Sequence, residues 1–496
     1  MNFIYILYKL SLLACAIYGF HRLLLAVTAL RFPPQDPQAL KSWDRLPFVT
    51  IQLPLYNEYF VVKQLLEAVS AIDYPRSLFE IQVLDDSTDE TTLVVQALVE
   101  RLKSRGLNVD LVHRCKREGF KAGALANGLL TARGEYVAVF DADFVPAPDF
   151  LKRTMDYFTD AAVGMVQVRW AHQNPDDSLL TRLQSALIDG HFLVDQFARF
   201  SSGKFFNFNG SAGIWRRQAI EEAGGWEGDT LAEDLDLSYR AQIQGWKFVL
   251  LSNYQVRQEL PKDVTAFKQQ QFRWSKGSLQ VGFKLLPRIW KSPSLPLNVK
   301  LEATFHLTNT LAYIFVLLTS LASLPVLIGP PPAKNILDGV FVDAGLFIAG
   351  IGSLIIYYGI SQQRQVPHWE KRLWFFPFFI SGVAGFSLVY IKAVLEVLMN
   401  KKTPFIRTPK KGGQSLLGSD AKNLYKAAFD PFFIGEIFMA VYLTAVLYVM
   451  ILKNHLDMAV FLALIVAGYY YVIVMSLLEW VPARFYLLKA LRNSHI

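Results

Sequence analysis

The sequence predicts an α/β domain, built on a mainly parallel sheet, that lies between membrane segments at both ends of the chain. Strand-like and helix-like runs alternate over residues 48–255, which is the pattern of such a sheet. Apolar residues make up 52% of the chain and concentrate at the N-terminus and after residue 300. With 496 residues, the chain is also longer than one ordinary domain.

The N-terminal apolar segment covers residues 3–30 and ends in basic residues, among them Arg22 and Arg31. Its length fits a membrane anchor. A cleaved signal peptide is the alternative, because the run from Leu12 to Cys15 resembles a lipoprotein cleavage site.

Polar clusters follow the predicted strands of the central region. The strands are predicted at 48–53, 81–84, 109–112, 136–143 and 163–169, and polar pairs come at Asn57/Glu58, Asp85/Asp86 and Asp141/Asp143. The carboxyl ends of parallel strands meet at one edge of a sheet, where open α/β sheets bind ligands. We therefore expect these side chains to line one crevice.

Asp141 and Asp143 end a run of apolar residues that reads as a buried strand. Residues i and i+2 of a strand share one face, so both carboxylates can point at the same object. Two like charges so close favour a hard divalent cation between them. The alternative is a solvated Asp-x-Asp turn.

Further elements follow in the second half of the central region. Apolar residues recur at helical spacing over 177–199, small residues form a turn at 207–213, and 230–236 opens a helix. Residues 262–291 combine aromatic and basic side chains, which predicts a helix lying in the membrane interface with its cations reaching water.

Five more apolar spans come near or exceed the length that crosses a bilayer, at 303–328, 341–360, 374–398, 432–452 and 458–478. The loops 364–372 and 401–411 on either side of the third span are both basic, whereas one simple crossing would place them on opposite sides. Pro377, Gly382 and Gly385 interrupt this span, so we expect it to be kinked, re-entrant or partly interfacial.

The formal charge of +8 comes with basic residues that bracket the apolar stretches. This arrangement favours anchoring at the cytoplasmic side of a membrane over binding to nucleic acid. Cys15 and Cys115 lie on different predicted units, so they form no disulfide framework or thiolate metal site.

Five motifs stand in a fixed order: Asp85-Asp86, Asp141-Ala-Asp143, Phe208-Asn-Gly210, Glu233-Asp234 and Gln270-Gln-Phe-Arg-Trp274. Together they resemble the family 2 glycosyltransferases, in the cellulose synthase and cellulose synthase-like group of mannan and glucan synthases. The resemblance covers residues 48–290 and, weakly, the membrane part. It implies a GT-A fold, a Rossmann-like domain with a mainly parallel sheet.

The resemblance also implies roles for single residues. Asp141 and Asp143 would hold Mg²⁺ or Mn²⁺ against the diphosphate of a nucleotide sugar, as a Lewis acid, and Arg273 would add a fixed cation on that diphosphate. Asp234, with Glu233 beside it, would be the base that deprotonates the attacking hydroxyl in an inverting transfer. The family has Thr where this chain has Ala232. The remaining donor contacts would come from Pro54, Tyr56, Asn57, Glu58, Asp85, Asp86 and Lys121, and the acceptor contacts from Phe208, Asn209, Gly210, Gln270 and Trp274.

Each role has a simpler alternative. Asp85 and Asp86 could cap the following helix, Asp234 could be a carboxylate at a helix N-terminus, and Trp274 could anchor its helix at the membrane interface. The histidines show no ligand spacing and are interpreted as structural; they are His113, His172, His191 and His306.

Residues 405–410 resemble the gating loop of cellulose synthase, with Arg407 where Val is usual. Thr408 and Lys410 would then reach over the bound donor and exclude water. The alternative is a basic juxtamembrane segment that binds anionic lipid.

These inferences predict four units: an anchor at 1–32, a GT-A domain at 45–260, interfacial helices at 261–300, and membrane helices at 301–496 with a gating-like loop at 400–415. The predicted function is processive, inverting transfer of hexose from UDP-glucose or GDP-mannose to a β-glucan or mannan. The catalytic domain would face the cytoplasm at the inner (plasma) membrane, which favours the anchor over the signal peptide. The predicted partners are the nucleotide sugar, a glycan or lipid acceptor and the bilayer, with an export partner left open and no nucleic acid. Two alternatives remain: a glycolipid synthase that transfers one hexose to diacylglycerol or ceramide, and a non-catalytic membrane binding module.

Overall fold

The computed structural model describes residues 2–329, 340–365, 368–404, 430 and 432–493. Its centre is a seven-stranded sheet. The strands are β1 Val49–Leu55, β2 Phe79–Asp85, β3 Val109–His113, β4 Tyr136–Val139, β5 Val163–His172, β6 Gly213–Arg216 and β7 Lys247–Gln258.

Helices cover the sheet and extend from both of its ends. Those of the central domain are α2 Val62–Ser70, α3 Thr91–Ser104, α4 Phe120–Thr131, α5 Phe150–Thr154, α6 Leu179–Gly190, α7 Phe197–Ser201, α8 Arg217–Glu222 and α9 Glu233–Ile243. The others are α1 Asn2–Arg31, α10 Val264–Lys291, α11 Leu297–Thr308, α12 Ala312–Ile328, α13 Val340–Gln365, α14 Phe376–Gly385, α15 Ser387–Leu398, α16 Phe433–Leu452 and α17 Leu456–Asn493.

The strand order is β3-β2-β1-β4-β6-β5-β7, and only β6 runs against its neighbours. Strands β1 and β2 are buried along nearly their whole length, as expected for a parallel sheet covered on both faces. The predicted mainly parallel sheet is therefore confirmed. The sequence interpretation missed β6, which begins directly after the small-residue turn, and β7.

Five helical stretches are long and apolar enough to cross a membrane within the described part of the chain. They are Phe3–Arg31, Leu297–Ile328, Phe376–Leu398, Phe433–Leu452 and Met458–Trp480. Helix α16 exposes Ile434, Phe438 and Val441 by 58–69%, and such a contiguous apolar surface suits lipid rather than water. The predicted segment 341–360 also forms a helix, α13.

The expected irregularity at 374–398 is a break between two helices. Helix α14 ends at Gly385, and α15 begins at Ser387. A Cβ added at Gly385 would meet the carbonyl oxygen of Gly468 on α17 at 2.4 Å. The break therefore lies where two membrane helices approach closely enough to require glycine.

Helix α10 lies between the central domain and the apolar helices of the C-terminal part. Its surroundings contradict the expectation that its cations reach water. Its aromatic residues Phe283 and Trp290 are exposed, as an interfacial helix requires. Lys268 and Lys276, however, do not reach water. Each is buried and pairs with a glutamate of a membrane helix, Glu436 and Glu396, at 2.7 Å. Their cations are neutralised inside the fold.

Candidate active site

A cleft of about 190 Å³ opens at the carboxyl edge of the sheet. Most of the residues singled out from the sequence line it: Pro54, Tyr56, Glu58, Asp86, Lys121, Asp141, Asp143, Asn209, Gly210, Glu233, Asp234, Gln270, Arg273 and Trp274. These residues come from segments up to 220 positions apart in the chain, so only the fold brings them together.

Asp141 and Asp143 reach the cleft from a turn rather than from a strand. Strand β4 ends at Val139, and the amide of Phe144 donates to the carbonyl oxygen of Asp141. The expectation that strand alternation aligns the two carboxylates is therefore wrong. The turn is fixed by Ser211, whose Oγ accepts from the amide of Asp141 at 2.9 Å.

Lys121 connects the acidic groups of the cleft. Its Nζ lies 2.6 Å from Oδ1 of Asp141, 3.9 Å from Oε1 of Glu233 and 2.8 Å from the carbonyl oxygen of Gly210. Burial lowers the pKa of this ammonium, but the carboxylates of Asp141 and Glu233 more than offset it, so the pKa is raised. Lys121 is thus a permanent cation between the two acidic motifs.

Glu233 and Asp234 form the first turn of α9. Burial, followed by the charge of Glu233, raises the pKa of Asp234 to about 7, and burial also raises the pKa of Glu233. A carboxylate with such a pKa can accept a proton near neutral pH, which is the property of a general base.

Gly210 allows the small-residue turn at 207–213 to approach this pair. Its φ is +82°, and a Cβ there would lie 2.9 Å from Oδ2 of Asp234 and 3.2 Å from Nζ of Lys121. Any larger residue would therefore be strained and would press on the carboxylate.

Helix α10 forms another wall of the cleft. Gln270, Arg273 and Trp274 are spaced so that they share one helical face, and all three line the cleft. Burial lowers the pKa of Arg273 to about 10, against the opposing effect of Glu233 and Asp141. Trp274 is 39% exposed, so its ring is accessible to a ligand.

Three predicted residues do not reach the cleft surface. Asp85 is fully buried and accepts from the amide of Ser87 at 3.0 Å and from Thr92 Oγ1 at 2.9 Å. Asn57 interacts with Ser87 and Thr88, and Phe208 packs inside the core. These three side chains are therefore not placed to contact a ligand in the cleft directly. Thr408 and Lys410 lie outside the described residues.

The sequence interpretation also missed residues of the cleft. Arg117 lines it, with its guanidinium carbon 3.5 Å from the centre of the Tyr56 ring. The signal was present, because Arg117 belongs to the same basic stretch as Lys121. Nε2 of His191, a residue interpreted as structural, lies 2.9 Å from Nδ2 of Asn209 and so supports the turn at 207–213.

The carboxylate groups that line the cleft are suitable ligands for a divalent metal ion. Asp141 and Asp143 both line the cavity, and carboxylate oxygens are suitable ligands for Mg²⁺ and Mn²⁺. A second acidic group, Glu227, Asp229 and Asp236, also has metal-like spacing. The ammonium of Lys284 lies within 3.1 Å of all three carboxylates, and Arg240 pairs with Glu227 and Asp236, so two cations offset most of this negative charge without a metal.

Comparison with known proteins agrees with this geometry. Residues 47–277 match the family described as glycosyltransferase like family 2. The central domain is a family 2 glycosyltransferase domain. The resemblance drawn from the five motifs is thereby confirmed, including its assignment to the cellulose synthase-like group.

Two plant relatives extend the comparison. The chain is 41% identical over 279 residues to glucomannan 4-beta-mannosyltransferase 1 of Oryza sativa subsp. japonica, which covers 55% of this chain and 53% of that protein. It is 44% identical over 262 residues to glucomannan 4-beta-mannosyltransferase 2 of Arabidopsis thaliana, which covers 52% of this chain and 49% of the relative. The chain therefore matches about half the length of these relatives.

A solved structure shows the same fold. A mannosyltransferase from Pyrobaculum calidifontis, in complex with GDP-Man and Mn2+, aligns with a TM-score of 0.55 over 80% of this chain and 100% of its own. The sequences are only 20% identical, so this likeness establishes the GT-A fold and no more.

Proposed function

We propose that this protein is a processive, inverting β-glycosyltransferase that transfers mannose from GDP-mannose to a growing β-mannan or glucomannan chain. The observation that carries the proposal is the single cleft shared by the Asp141/Asp143 turn, Lys121, the Glu233/Asp234 pair and Arg273. The names of the plant relatives favour mannose over glucose among the two donors that the sequence left open.

The donor diphosphate would lie between the two arginines and Lys121. Arg117 and Arg273 both line the cleft, and a guanidinium suits the geometry of phosphate oxygens. Cations placed there stabilise the charge that grows on the leaving diphosphate. A divalent metal bound by Asp141 and Asp143 would supply Lewis-acid stabilisation of the same diphosphate.

The acceptor hydroxyl would be deprotonated by Asp234. Its carboxylate lies beside the Gly210 turn, and the same cleft is lined by Trp274, whose exposed ring can stack on a sugar face. As Asp234 takes the proton, the hydroxyl attacks from the side opposite the leaving diphosphate. This direction of attack inverts the anomeric centre. Glu233 would keep the pKa of Asp234 near neutrality.

The proposed location is an integral membrane protein with this cleft on the cytoplasmic side. Five apolar helices support membrane insertion, and intracellular nucleotide sugars favour that side for the cleft. The polymer would leave between the membrane helices, and residues 45–260, 261–300 and 301–496 would act as catalytic, interfacial and membrane units.

The proposal is tested with the full chain purified in detergent. GDP-mannose and UDP-glucose are offered separately, with Mg²⁺ or Mn²⁺ and a manno-oligosaccharide, and the products are analysed by mass spectrometry. We expect a ladder of mannose additions. Asp234→Asn should reduce transfer by about 10²- to 10⁴-fold, the contribution of a positioned base, while GDP-mannose binding remains.

Asp110→Asn is the matched control, because Asp110 is an exposed carboxylate on β3 outside the cleft. It should transfer sugar like the unchanged chain. Transfer of one hexose to a lipid would replace the proposal with a glycolipid synthase. Full turnover by Asp234→Asn would remove the assignment of the base, and donor binding without any transfer would indicate a binding module.

A further inference from the structure

A second cavity, of about 220 Å³, lies where α6 of the glycosyltransferase domain meets α13 and the beginning of α14. It shares no lining residue with the catalytic cleft. Whatever occupies it is therefore neither the donor nor the acceptor at the Asp234 site. Its walls divide into a polar part and an aromatic part.

The polar part contains an unused hydrogen-bond donor. Gln362 is 6% exposed, and its Oε1 accepts from Nη1 of Arg372 at 3.2 Å. Its Nε2 is buried and has no hydrogen-bond partner among the residues that the structure describes. A buried amide in this state costs free energy unless a ligand accepts from it.

The charge of the polar part is positive. Arg182 also lines the cavity, but its Nε pairs with Oδ1 of Asp176 at 3.2 Å, so these two charges offset each other. Among the residues that the structure describes, the guanidinium of Arg372 donates only to the neutral Gln362. Arg372 therefore gives the polar part of the cavity its net positive charge, which can pair with one anionic group.

The aromatic part is formed by the residues that lead into a membrane span. Phe379 is 3% exposed and packs on Tyr358, with ring centres 4.0 Å apart. Trp374, which also lines the cavity, is 59% exposed, and Phe378 is 52% exposed. The candidate span Phe376–Leu398 begins at this level, so the cavity lies at the depth of lipid headgroups, where aromatic side chains accumulate.

We propose that this cavity binds the phosphate headgroup of an anionic phospholipid. Arg372 pairs with the phosphate, and the amide of Gln362 donates to a phosphate or ester oxygen. The acyl chains leave along the exposed faces of Trp374 and Phe378. A free phosphate would use only the polar part, whereas a phospholipid also covers the aromatic part. The lipid would thus tie α6 of the catalytic domain to α13 and α14.

The test measures lipid retention by the full chain. The delipidated protein is equilibrated with micelles containing equal amounts of phosphatidylglycerol and phosphatidylcholine, and bound lipid is counted by native mass spectrometry. We expect one phosphatidylglycerol to be retained preferentially. Arg372→Gln should weaken retention about fivefold, the factor that corresponds to the roughly 1 kcal/mol of one basic residue at an anionic lipid surface.

The chain offers two matched controls. Lys371→Gln removes an equally exposed neighbouring charge outside the cavity, and it should retain phosphatidylglycerol like the unchanged protein. Gln362→Glu places a negative charge in the cavity and should abolish preferential retention, whereas Gln363→Glu, on the exposed side of α13, should not.

Two results would overturn the inference. One is equal retention by Arg372→Gln and Lys371→Gln, together with equal retention by the Gln362 and Gln363 variants. The other is displacement of phosphatidylglycerol by an excess of inorganic phosphate, which would assign the polar part to a free anion. Thermal unfolding of each variant identifies any that lose retention because they do not fold.

Discussion

At the scale of single residues, the proposed role of Asp234 as a base depends on how burial and neighbouring charges shift the pKa of its carboxylate. Its carboxylate is held by the amide of Leu235, which donates at 2.7 Å, and lies close to the Gly210 turn. Burial and the negative charge of Glu233 raise its pKa to about 7, while Lys121 opposes that rise. As the proposed base, Asp234 would therefore titrate near the pH at which proton transfer is most effective.

This pKa predicts a pH dependence of sugar transfer. Below about 7, Asp234 carries a proton and cannot accept another one, so activity should rise as the pH is increased through 7. Well below the pKa, kcat/KM should fall about tenfold per pH unit. The measurement is the pH profile of kcat/KM at a fixed concentration of divalent metal.

Glu233→Gln separates this explanation from a general effect of acid. Since the charge of Glu233 raises the pKa of Asp234, its removal should move the acid limb of the profile to lower pH, whatever happens to the maximal rate. Asp110→Asn, far from the cleft, should leave the limb in place. An acid limb that does not move in Glu233→Gln would show that Asp234 is not the group that titrates.

At the scale of secondary structure, two walls of the cleft, α9 and α10, approach each other closely at Gly277. A Cβ added at Gly277 of α10 would lie 2.7 Å from Cβ of Ala232, the residue that precedes α9. The spacing between the helix that carries Arg273 and the helix that carries Asp234 is therefore fixed by two small residues.

Gly277→Ala is predicted to separate the two helices. The added methyl group cannot be accommodated without a shift of α9 against α10, and a displacement of about 1 Å at a catalytic site can lower activity about 100-fold. Gly282→Ala on the same helix is the control, since its Cβ would meet nothing closer than 3.2 Å. Transfer rate and thermal unfolding are measured for both; equal activity of the two variants would contradict the prediction.

The same elements show what could be predicted from the sequence. Apolar runs predict the buried strands β1 and β2, and the polar motifs that follow these strands indicate one edge of the sheet. The four-residue β6 and the placement of Asp85 could not be predicted, because they depend on long-range pairing: β6 bonds to β4 and β5, and Asp85 turns toward Thr92 and His113. For the same reason, the partners of Lys268 and Lys276 were missed.

At the scale of the whole molecule, helix α10, which lines the cleft, is attached to three of the apolar helices by acidic side chains. Glu479 of α17 accepts from the amides of Val264 and Thr265 at the start of α10, at 2.5 and 3.0 Å. Glu436 of α16 pairs with Lys268, and Glu396 of α15 pairs with Lys276. Arg273 and Trp274 lie between these two lysines, so the membrane helices determine the position of residues in the cleft.

The pair of Lys268 and Glu436 provides the test of this attachment. Both side chains are buried, and Nζ of Lys268 also donates to Ser476 at 3.0 Å. Removing one partner of a buried pair leaves an uncompensated charge and costs about 3–5 kcal/mol. Lys268→Met and Glu436→Gln should therefore each unfold faster on heating in detergent, whereas the double variant should recover much of the loss because no charge is left alone.

Lys152→Met is the control for this cycle, because Lys152 forms an exposed pair with Asp73 and should change stability by less than about 0.5 kcal/mol. If α10 positions the cleft through these contacts, the double variant should regain stability but not full transfer, since the helix is then held by packing alone. If the stability lost in the double variant equals the sum of the losses in the two single variants, the lysine and the glutamate act independently. Full activity in the double variant would show that the pair stabilises the fold without positioning Arg273.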